Sequence, residues 1–354
     1  MTITAEQRRA RILDVVRELG TVRVVELAER IGLAAVTVRR DVAALADAGL
    51  LHRSHGAVSL PVTATAAPGL TQQHRVVGML VPTVGSYFDE IIDGARSAAH
   101  AAGARLVLGI SAYESSDDRA QVQQLLDSGA DGLLLTPNWK PGSHPENSMW
   151  IGDLRVPVVL VERRAAPDSP FAELDSVGSD HRHGVLMALR QLSSLGHGSV
   201  LLAAREDSWT AHQVRAGYEE ATRLLGLEPR PVVDIRRPGG DMQDVVARIA
   251  EAVDDDGVRA LLVHNDQSAI QLVPLLRARG LRVPDDLALI SYDDVFAALA
   301  APPLTAVAPP KRAVGAAALE LLLSRLGSGH DLPVHHVELM PELKIRTSCG
   351  GADQ

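Results

Sequence analysis

Thr37, Val38, Arg39, Arg40 and Asp41 run consecutively, and Arg53, Ser54, His55 and Gly56 follow shortly after them. An arginine pair on the leading turn of a helix can meet a guanine edge bidentately, and a basic cluster on a turn beyond it can hold phosphates. Chemistry of this kind breaks no bond. It recognises a duplex, with double-stranded DNA as the partner, and the residues placed to do it are Arg23, Ala35, Thr37, Arg39, Arg40, Arg53, His55 and Gly56. The plainer reading of the same arginines is a solvated helix face on which Arg39 and Arg40 pair with Asp41 or Asp47.

Three helices and a hairpin are needed to present those groups. Ile12, Val15, Val16 and Leu19 recur at helical spacing and define a first helix that stops at Gly20. Leu27, Ala28 and Ile31 define a second, short one that ends at Gly32. From Ala35 a third buries Val38, Val42 and Leu45 and closes at Gly49, where a left-handed cap is easiest for glycine. Thr37, Arg40 and Ala44 recur on its opposite face. Residues 50–53 and 57–60 then form two short strands around Ser54, His55 and Gly56, a wing that carries Arg53 and His55 toward the backbone or minor groove.

The charge distribution agrees with that placement. The chain has 354 residues and a net charge of -9. Residues 1–60 hold nine arginines against seven carboxylates, whereas the remainder holds 26 basic and 37 acidic residues. A basic head on an acidic body suits contact with a polyanion at one end only. Pro61 to Thr71 has two prolines, small residues and no apolar period, which is the composition of a linker. The expected organisation is a head at 1–60, a linker at 61–74 and a two-lobed body at 75–348.

In the body, β-branched runs alternate with helical patterns. Residues 76–81, 105–110, 132–136, 156–161, 199–203, 260–263 and 288–291 read as buried strands. Helices such as 89–102, 119–128, 183–195, 213–225, 242–253 and 268–279 lie between them. Such alternation implies parallel sheets with helices on both faces, and ligands then bind beyond the carboxyl ends of the strands. At those ends stand Tyr87 and Phe88, Thr136 and Trp139, Glu162 and Arg163, Asn265 and Asp266, and Tyr292 and Asp293. Aromatic faces for C–H surfaces, with carboxylates, amides and a guanidinium for hydroxyls, make a pocket suited to a sugar or sugar derivative. Taken singly, each has an ordinary explanation, and Asn265 and Asp266 could simply start a helix.

Two family resemblances rest on these residues. The run from Ile12 to Val58 resembles the DeoR family of bacterial sugar-metabolism repressors, whose winged helix-turn-helix carries a Thr-Ile/Val-Arg-Arg-Asp core and a Gly-x-Leu-x-Arg-x-His-Gly wing. It departs at Arg23 and Ala34, where the family usually has a serine or threonine. A lost N-cap costs about 0.5 to 2 kcal/mol, and Arg23 is placed to supply a phosphate contact instead. The body resembles the LacI-type repressor core, a relative of periplasmic sugar-binding proteins, through Asp131-Gly132-Leu133, Glu162-Arg163, Leu195-Gly196-His197, Asn265-Asp266-Gln267, Ser291-Tyr292-Asp293-Asp294 and Pro302-Pro303-Leu304-Thr305. That resemblance implies ligand contacts at Tyr87, Phe88, Glu162, Arg163, Asn265 and Asp293. Departures fall at Gly85, at Pro309, and at Val214, where relatives often place a ligand-binding arginine. Trp209, His212, Gln213 and Arg215 surround the last gap and are expected to reshape the specificity.

The fold class expected is therefore a small α+β winged helix-turn-helix head plus an α/β, two-lobed, periplasmic-binding-protein-like body with parallel sheets. The function implied is that of a ligand-responsive transcriptional repressor, a homodimer or dimer of dimers that reads an inverted repeat and releases it on binding a small-molecule effector. No cofactor, metal or catalytic group is expected. No phosphate-binding loop, dinucleotide fingerprint, nucleophile elbow or paired-histidine zinc motif occurs. His181-Arg182-His183 and His335-His336 read as surface or helix-start histidines, and Asp254-Asp255-Asp256-Gly257 as a solvated turn. Cys349 is the single cysteine, which excludes an internal disulfide and fits a reducing cytoplasm, and neither a secretory leader nor a membrane span is expected. The alternatives are a sugar-processing enzyme or a solute-binding protein with an appended DNA-binding head.

Overall fold

Ile12, Val16, Leu27, Ala28, Ile31, Val38, Val42, Leu45, Leu51 and Val58 converge on one small core, which is why the N-terminal residues fold as a unit. The structure is a computed structural model. It describes residues 8–9, 11–13, 15–16, 21–31, 33, 35–47, 51–54, 57–59, 75–83, 87–111, 118–139, 145–236, 242–328 and 332–351. The chain divides into two compact units, residues 1–72 and 73–354. The expected linker at 61–74, and His55, Gly56 and Gly85, lie outside the described residues.

The first unit begins with helix α1, to which residues 8, 9, 11–13, 15 and 16 belong. Strand β1 (Thr21–Arg23), helices α2 (Val24–Ile31) and α3 (Ala35–Asp47), and strands β2 (His52–Ser54) and β3 (Ala57–Ser59) follow. The wing has three antiparallel strands in the order β1-β3-β2 rather than two. Thr21 to Arg23, where no strand was expected, form the added one, with Arg23 opposite Ala57. A strand this short carries little apolar signal of its own, and it is defined by its ladder partner.

The second unit holds two six-stranded sheets, each built from the apolar runs of the sequence. In the first, β4 (Val76–Val81), β5 (Arg105–Ile110), β6 (Gly132–Leu135), β7 (Val158–Val161), β8 (Asp175–Ser179) and β14 (His336–Leu339) lie in the order β14-β8-β7-β6-β4-β5, all parallel. In the second, β9 (Leu201–Arg205), β10 (Val233–Ile235), β11 (Ala260–His264), β12 (Ala288–Tyr292), β13 (Thr305–Ala308) and β15 (Glu342–Lys344) lie in the order β10-β9-β11-β12-β13-β15. Only β15 runs antiparallel to its neighbour there.

Helices cover both faces of both sheets: α4 (Tyr87–Ala101), α5 (Asp118–Asp127), α6 (His181–Ser194), α7 (Trp209–Leu225), α8 (Gln243–Asp254), α9 (Asp266–Ala278) and α10 (Lys311–Ser328). The chain crosses between the lobes three times: from β8 into α6, from β13 into α10, and from β14 into β15. Helix α10 returns to the first lobe, where Val314, Ala318, Leu319 and Leu322 join the core of α4 and β4. The two helices approach through glycine. A Cβ on Gly94 would stand 1.9 Å from the Arg312 carbonyl oxygen, and one on Gly315 would stand 1.9 Å from that of Ile91.

Candidate effector site and DNA-binding surface

The strand ends of the two lobes meet in a polar cluster buried around Glu162. Glu162 closes β7 with a left-handed backbone (φ 52°), and Asp293 closes β12 with φ 92°. Non-glycine residues held in this region concentrate at functional sites. Glu162 is buried, and its carboxylate accepts three hydrogen bonds and faces a histidine ring nitrogen. Oε1 takes Tyr87 Oη at 3.0 Å and Ser179 Oγ at 2.8 Å; Oε2 takes the Ser179 N–H at 3.2 Å and faces His181 Nε2 at 3.3 Å. Burial opposes its ionisation, but the His181 and Ser179 hydrogen bonds outweigh it and hold the carboxyl below its ordinary value.

His181 joins the lobes. Its Nδ1 lies 3.2 Å from Tyr292 Oη, which in turn donates to the His181 carbonyl at 3.1 Å. It starts helix α6, as expected, but it is buried rather than at the surface. A second tie runs through Lys311, also buried, at the start of α10. Its Nζ donates to the Asp293 carbonyl at 2.6 Å, lies 3.4 Å from Glu90 Oε1, and sits 5.7 Å from the centre of the Tyr87 ring. Neither residue was assigned to the site from the sequence, because each partner set comes from elements remote along the chain.

Asp293 supplies the open valence of the cluster. Oδ2 accepts from Asn265 Nδ2 at 3.1 Å, but Oδ1 is buried with no hydrogen-bond partner among the described residues. Burial pushes this carboxyl up despite the Asn265 hydrogen bond and the Lys311 charge. A buried carboxylate oxygen left unpaired is costly unless a ligand hydroxyl or water completes it. His264, at the end of β11, has a similarly unpartnered Nδ1, and burial with the Arg205 charge lowers its pKa to about 3, so the ring is neutral. Across the cleft, Trp139 stacks on Phe171 at 6.5 Å and meets the Trp209 ring edge-on at 6.1 Å, while its Nε1 donates to Ser148 Oγ at 2.8 Å. Aromatic rings from the two lobes thus touch. Arg163 is buried and donates to the Pro137 and Glu162 carbonyls. His212 is exposed, and Gln213 accepts from Arg182 Nε at 3.4 Å.

Four sequence-predicted contacts have other tasks here. Phe88 is packed in the first-lobe core against Ile91 and Val81. Thr136 is fully buried and donates to the Val161 carbonyl at 3.0 Å. Tyr292 is fully buried with its hydroxyl committed to His181. Asp266 is buried and accepts from Ser291 Oγ and from the Val295 and Phe296 N–H groups, pinning the turn after β12. These four are buried behind the polar cluster; periodicity could not separate them from the cluster's own residues, because both kinds stand at or just after the carboxyl ends of strands or in the first turn of the helices that follow. Val214 is a core residue of the second lobe, and Arg215 donates to the Ala204 and Arg205 carbonyls and to Asp234. A separate surface cavity of about 520 Å³, lined by Glu206, Asp234, Arg236, Asp244, Arg248 and Glu251 among others, shares no residue with this cluster.

In the head, Asp41 is buried and takes Arg8 Nε at 2.9 Å and Arg9 Nε at 3.3 Å, both from α1. Burial would raise its pKa, but the two arginines hold it below its ordinary value. Of the plainer reading of the arginine pair this overturns one part, the pairing with Asp41, which faces inward to α1; the Arg40 side chain is exposed. Thr37 is half-buried on the same helix. Arg23 and Arg53 lie on β1 and β2, and Ala35 and Arg39 on α3. Among the described residues no group of three or more His, Cys, Asp or Glu could hold a metal ion, and no helix is long and apolar enough to cross a membrane.

Comparison with known proteins agrees with both parts. Residues 8–63 match the DeoR-like helix-turn-helix domain, and residues 189–349 match the periplasmic binding protein-like domain. The HTH-type transcriptional repressor PurR of Aliivibrio fischeri (strain MJ11) is 26% identical over 77% of this chain and 81% of its own length. The arabinose metabolism transcriptional repressor of Geobacillus stearothermophilus is 23% identical over 91% of this chain and 89% of its own. Among solved structures, the transcriptional regulator CelR in complex with cellobiose superposes with a TM-score of 0.65 at 23% identity, over 89% of this chain and 90% of that one. The fold and site define a protein in which a DeoR-like helix-turn-helix domain is joined to a two-lobed periplasmic-binding-protein-like body. This is the build of a ligand-responsive transcriptional regulator, and the chain's relatives are transcriptional repressors.

Proposed function

We propose that this protein represses sugar-metabolism genes by binding an inverted-repeat operator as a homodimer or dimer of dimers, and releases it when a sugar or sugar derivative enters the cleft. The observation that carries the reading is the buried, unpartnered Asp293 Oδ1 beside Asn265, with Trp139 and Trp209 meeting edge-on. A carboxylate oxygen and an amide suit vicinal hydroxyls, and the indole faces suit the C–H surface of a pyranose or furanose ring. Tyr87, Glu162, Arg163, His212 and Gln213 complete the proposed contact set, with Phe88, Thr136, Asp266 and Tyr292 behind it.

The mechanism follows from the lobe connections. Ligand held by strand ends of both lobes closes them about the three crossings, where His181 and Lys311 sit, and closure alters the spacing of paired heads. A ligand shifts an equilibrium only by its differential affinity, so the DNA-competent state must bind an inducer more weakly. On DNA, Thr37, Arg39 and Arg40 meet base edges, and Arg23, Arg53 and the wing hold phosphates, which makes affinity strongly salt-dependent. The absence of a catalytic role is part of the reading: the sugar leaves unchanged.

The test is a pair of variants measured on both ligands. Arg40→Ala should lose operator binding while its effector-dependent thermal shift is kept, and Asp293→Ala should show the reverse. Operator binding retained by Arg40→Ala would reject the recognition-helix assignment; turnover of the bound sugar by the wild type would favour the enzyme alternative.

A further inference from the structure

Val36 is 74% exposed and stands on the first turn of α3. Isolated apolar residues on a surface are common, so exposure alone says little; the orientation of this helix says more. Val38, Val42 and Leu45 are buried on its inner side, and Asp41 is locked there by Arg8 and Arg9. That leaves Val36 and Arg40, four residues apart, as outward neighbours on one face, both exposed. Among the described residues of the head, Val36 is the sole large apolar side chain left exposed. A β-branched residue at an exposed helical position is a poorer helix former than alanine by up to about 0.7 kcal/mol. Nothing described in the head repays that cost.

We propose that Val36 is a base-reading residue, its isopropyl group contacting the C5-methyl of a thymine in the major groove beside the base pair that Arg40 engages. The inference rests on the DNA-binding reading of the head and adds a specificity that the arginines do not have. Guanidinium groups select guanine through its O6 and N7 acceptors, whereas the thymine methyl offers no hydrogen bond and is read by apolar contact. Four helical residues advance about 6 Å, which matches roughly two stacked base steps of about 3.4 Å. The thymine therefore lies within about two base pairs of the guanine that Arg40 reads.

The experiment uses the full-length protein and a duplex that it enriches from a random-sequence pool. Each thymine of that duplex is replaced in turn by deoxyuridine, which removes the methyl and nothing else, and affinity is read by fluorescence anisotropy. For the wild type, uracil at one thymine position near a guanine should weaken binding about fourfold, the worth of one buried methyl-sized group. Val36→Ala should bind the thymine and uracil duplexes equally, with its thermal unfolding no lower than that of the wild type, since alanine is the better helix former at this exposed position. Val36→Ser, measured alongside, should also lose the discrimination.

A wild type indifferent to uracil at every position would overturn the proposal and leave the DNA-binding reading intact. So would variants that keep the wild-type ratio. A pool that yields no enriched duplex would sink both.

Discussion

Replacing Asp266 gives a quantitative test of how the site is supported. Its Oδ1 accepts from Ser291 Oγ at 2.7 Å, and its Oδ2 accepts from the Val295 and Phe296 N–H groups at 2.6 and 3.1 Å, fixing the turn that begins at Asp293. Desolvation raises its pKa from 3.8 to about 6, against those hydrogen bonds and with help from the Asp293 charge. A carboxyl raised in the native state contributes stability that is complete below its unfolded pKa and is lost as pH rises through the native one. At about 1.36 kcal/mol per unit, the shift is worth about 3 kcal/mol between about pH 4 and pH 7.

Asp266→Asn keeps an oxygen for the two N–H groups, turns an amide donor toward Ser291 Oγ, and abolishes the titration. Its stability relative to the wild type should therefore rise by about 3 kcal/mol on going from about pH 4 to about pH 7. Asp266→Ala leaves two backbone donors without an acceptor and should lose about 2 to 4 kcal/mol at the acid end. Urea unfolding followed by far-UV circular dichroism at both pH values reads these differences from the midpoints. A wild-type-minus-Asn difference that did not move with pH would refute the assignment of Asp266 as a buried support.

Other perturbations reach the head, the lobe contacts and the cleft. Asp41→Asn should destabilise the head by about 1 to 3 kcal/mol at neutral pH, since it removes a buried carboxylate from Arg8 and Arg9. Because the Asp41 pKa is lowered, that contribution is present above its ordinary value of 3.8 and fades as pH falls through the native one, so thermal melts of the two proteins should converge in acid. Gly94→Ala or Gly315→Ala should cost about 3 kcal/mol or more in chemical unfolding, because the added methyl would meet a backbone carbonyl of the facing helix at 1.9 Å. Trp139→Phe should reduce the change in intrinsic fluorescence on effector binding, since it removes the indole that meets Trp209 and donates to Ser148.

What the sequence displayed, and what it concealed, follows from the kinds of residue involved. β4 and β5 were legible to the residue, because residues 76–81 and 106–110 are runs without a polar side chain, the second opened by Arg105. β8 was not. Its Asp175 and Ser179 are polar because they work: Asp175 takes Arg325 at 2.5 and 2.7 Å, and Ser179 holds Glu162. Helix α10 is apolar around much of its surface, which blurs the helical period that marks the other helices. At the site, Asn265 and Asp293 were visible from their position after strands, whereas the ties through His181 were not. Its partners Glu162 and Tyr292 lie 19 and 111 residues away along the chain, so only the crossing of the lobes brings them together. The inward turn of Asp41 was hidden for the same reason, since its two arginines belong to another helix.

Release of DNA by a sugar tests the central claim most directly. With the full-length protein bound to a labelled operator duplex, a panel of sugars and sugar phosphates is titrated while anisotropy is followed, and the same compounds are scored for raising the melting temperature of the free protein. At least one compound should do both, with Asp293→Ala blind to it yet still bound to the duplex. Specific DNA binding that no carbohydrate alters, together with a melting temperature that none of them moves, would contradict the account.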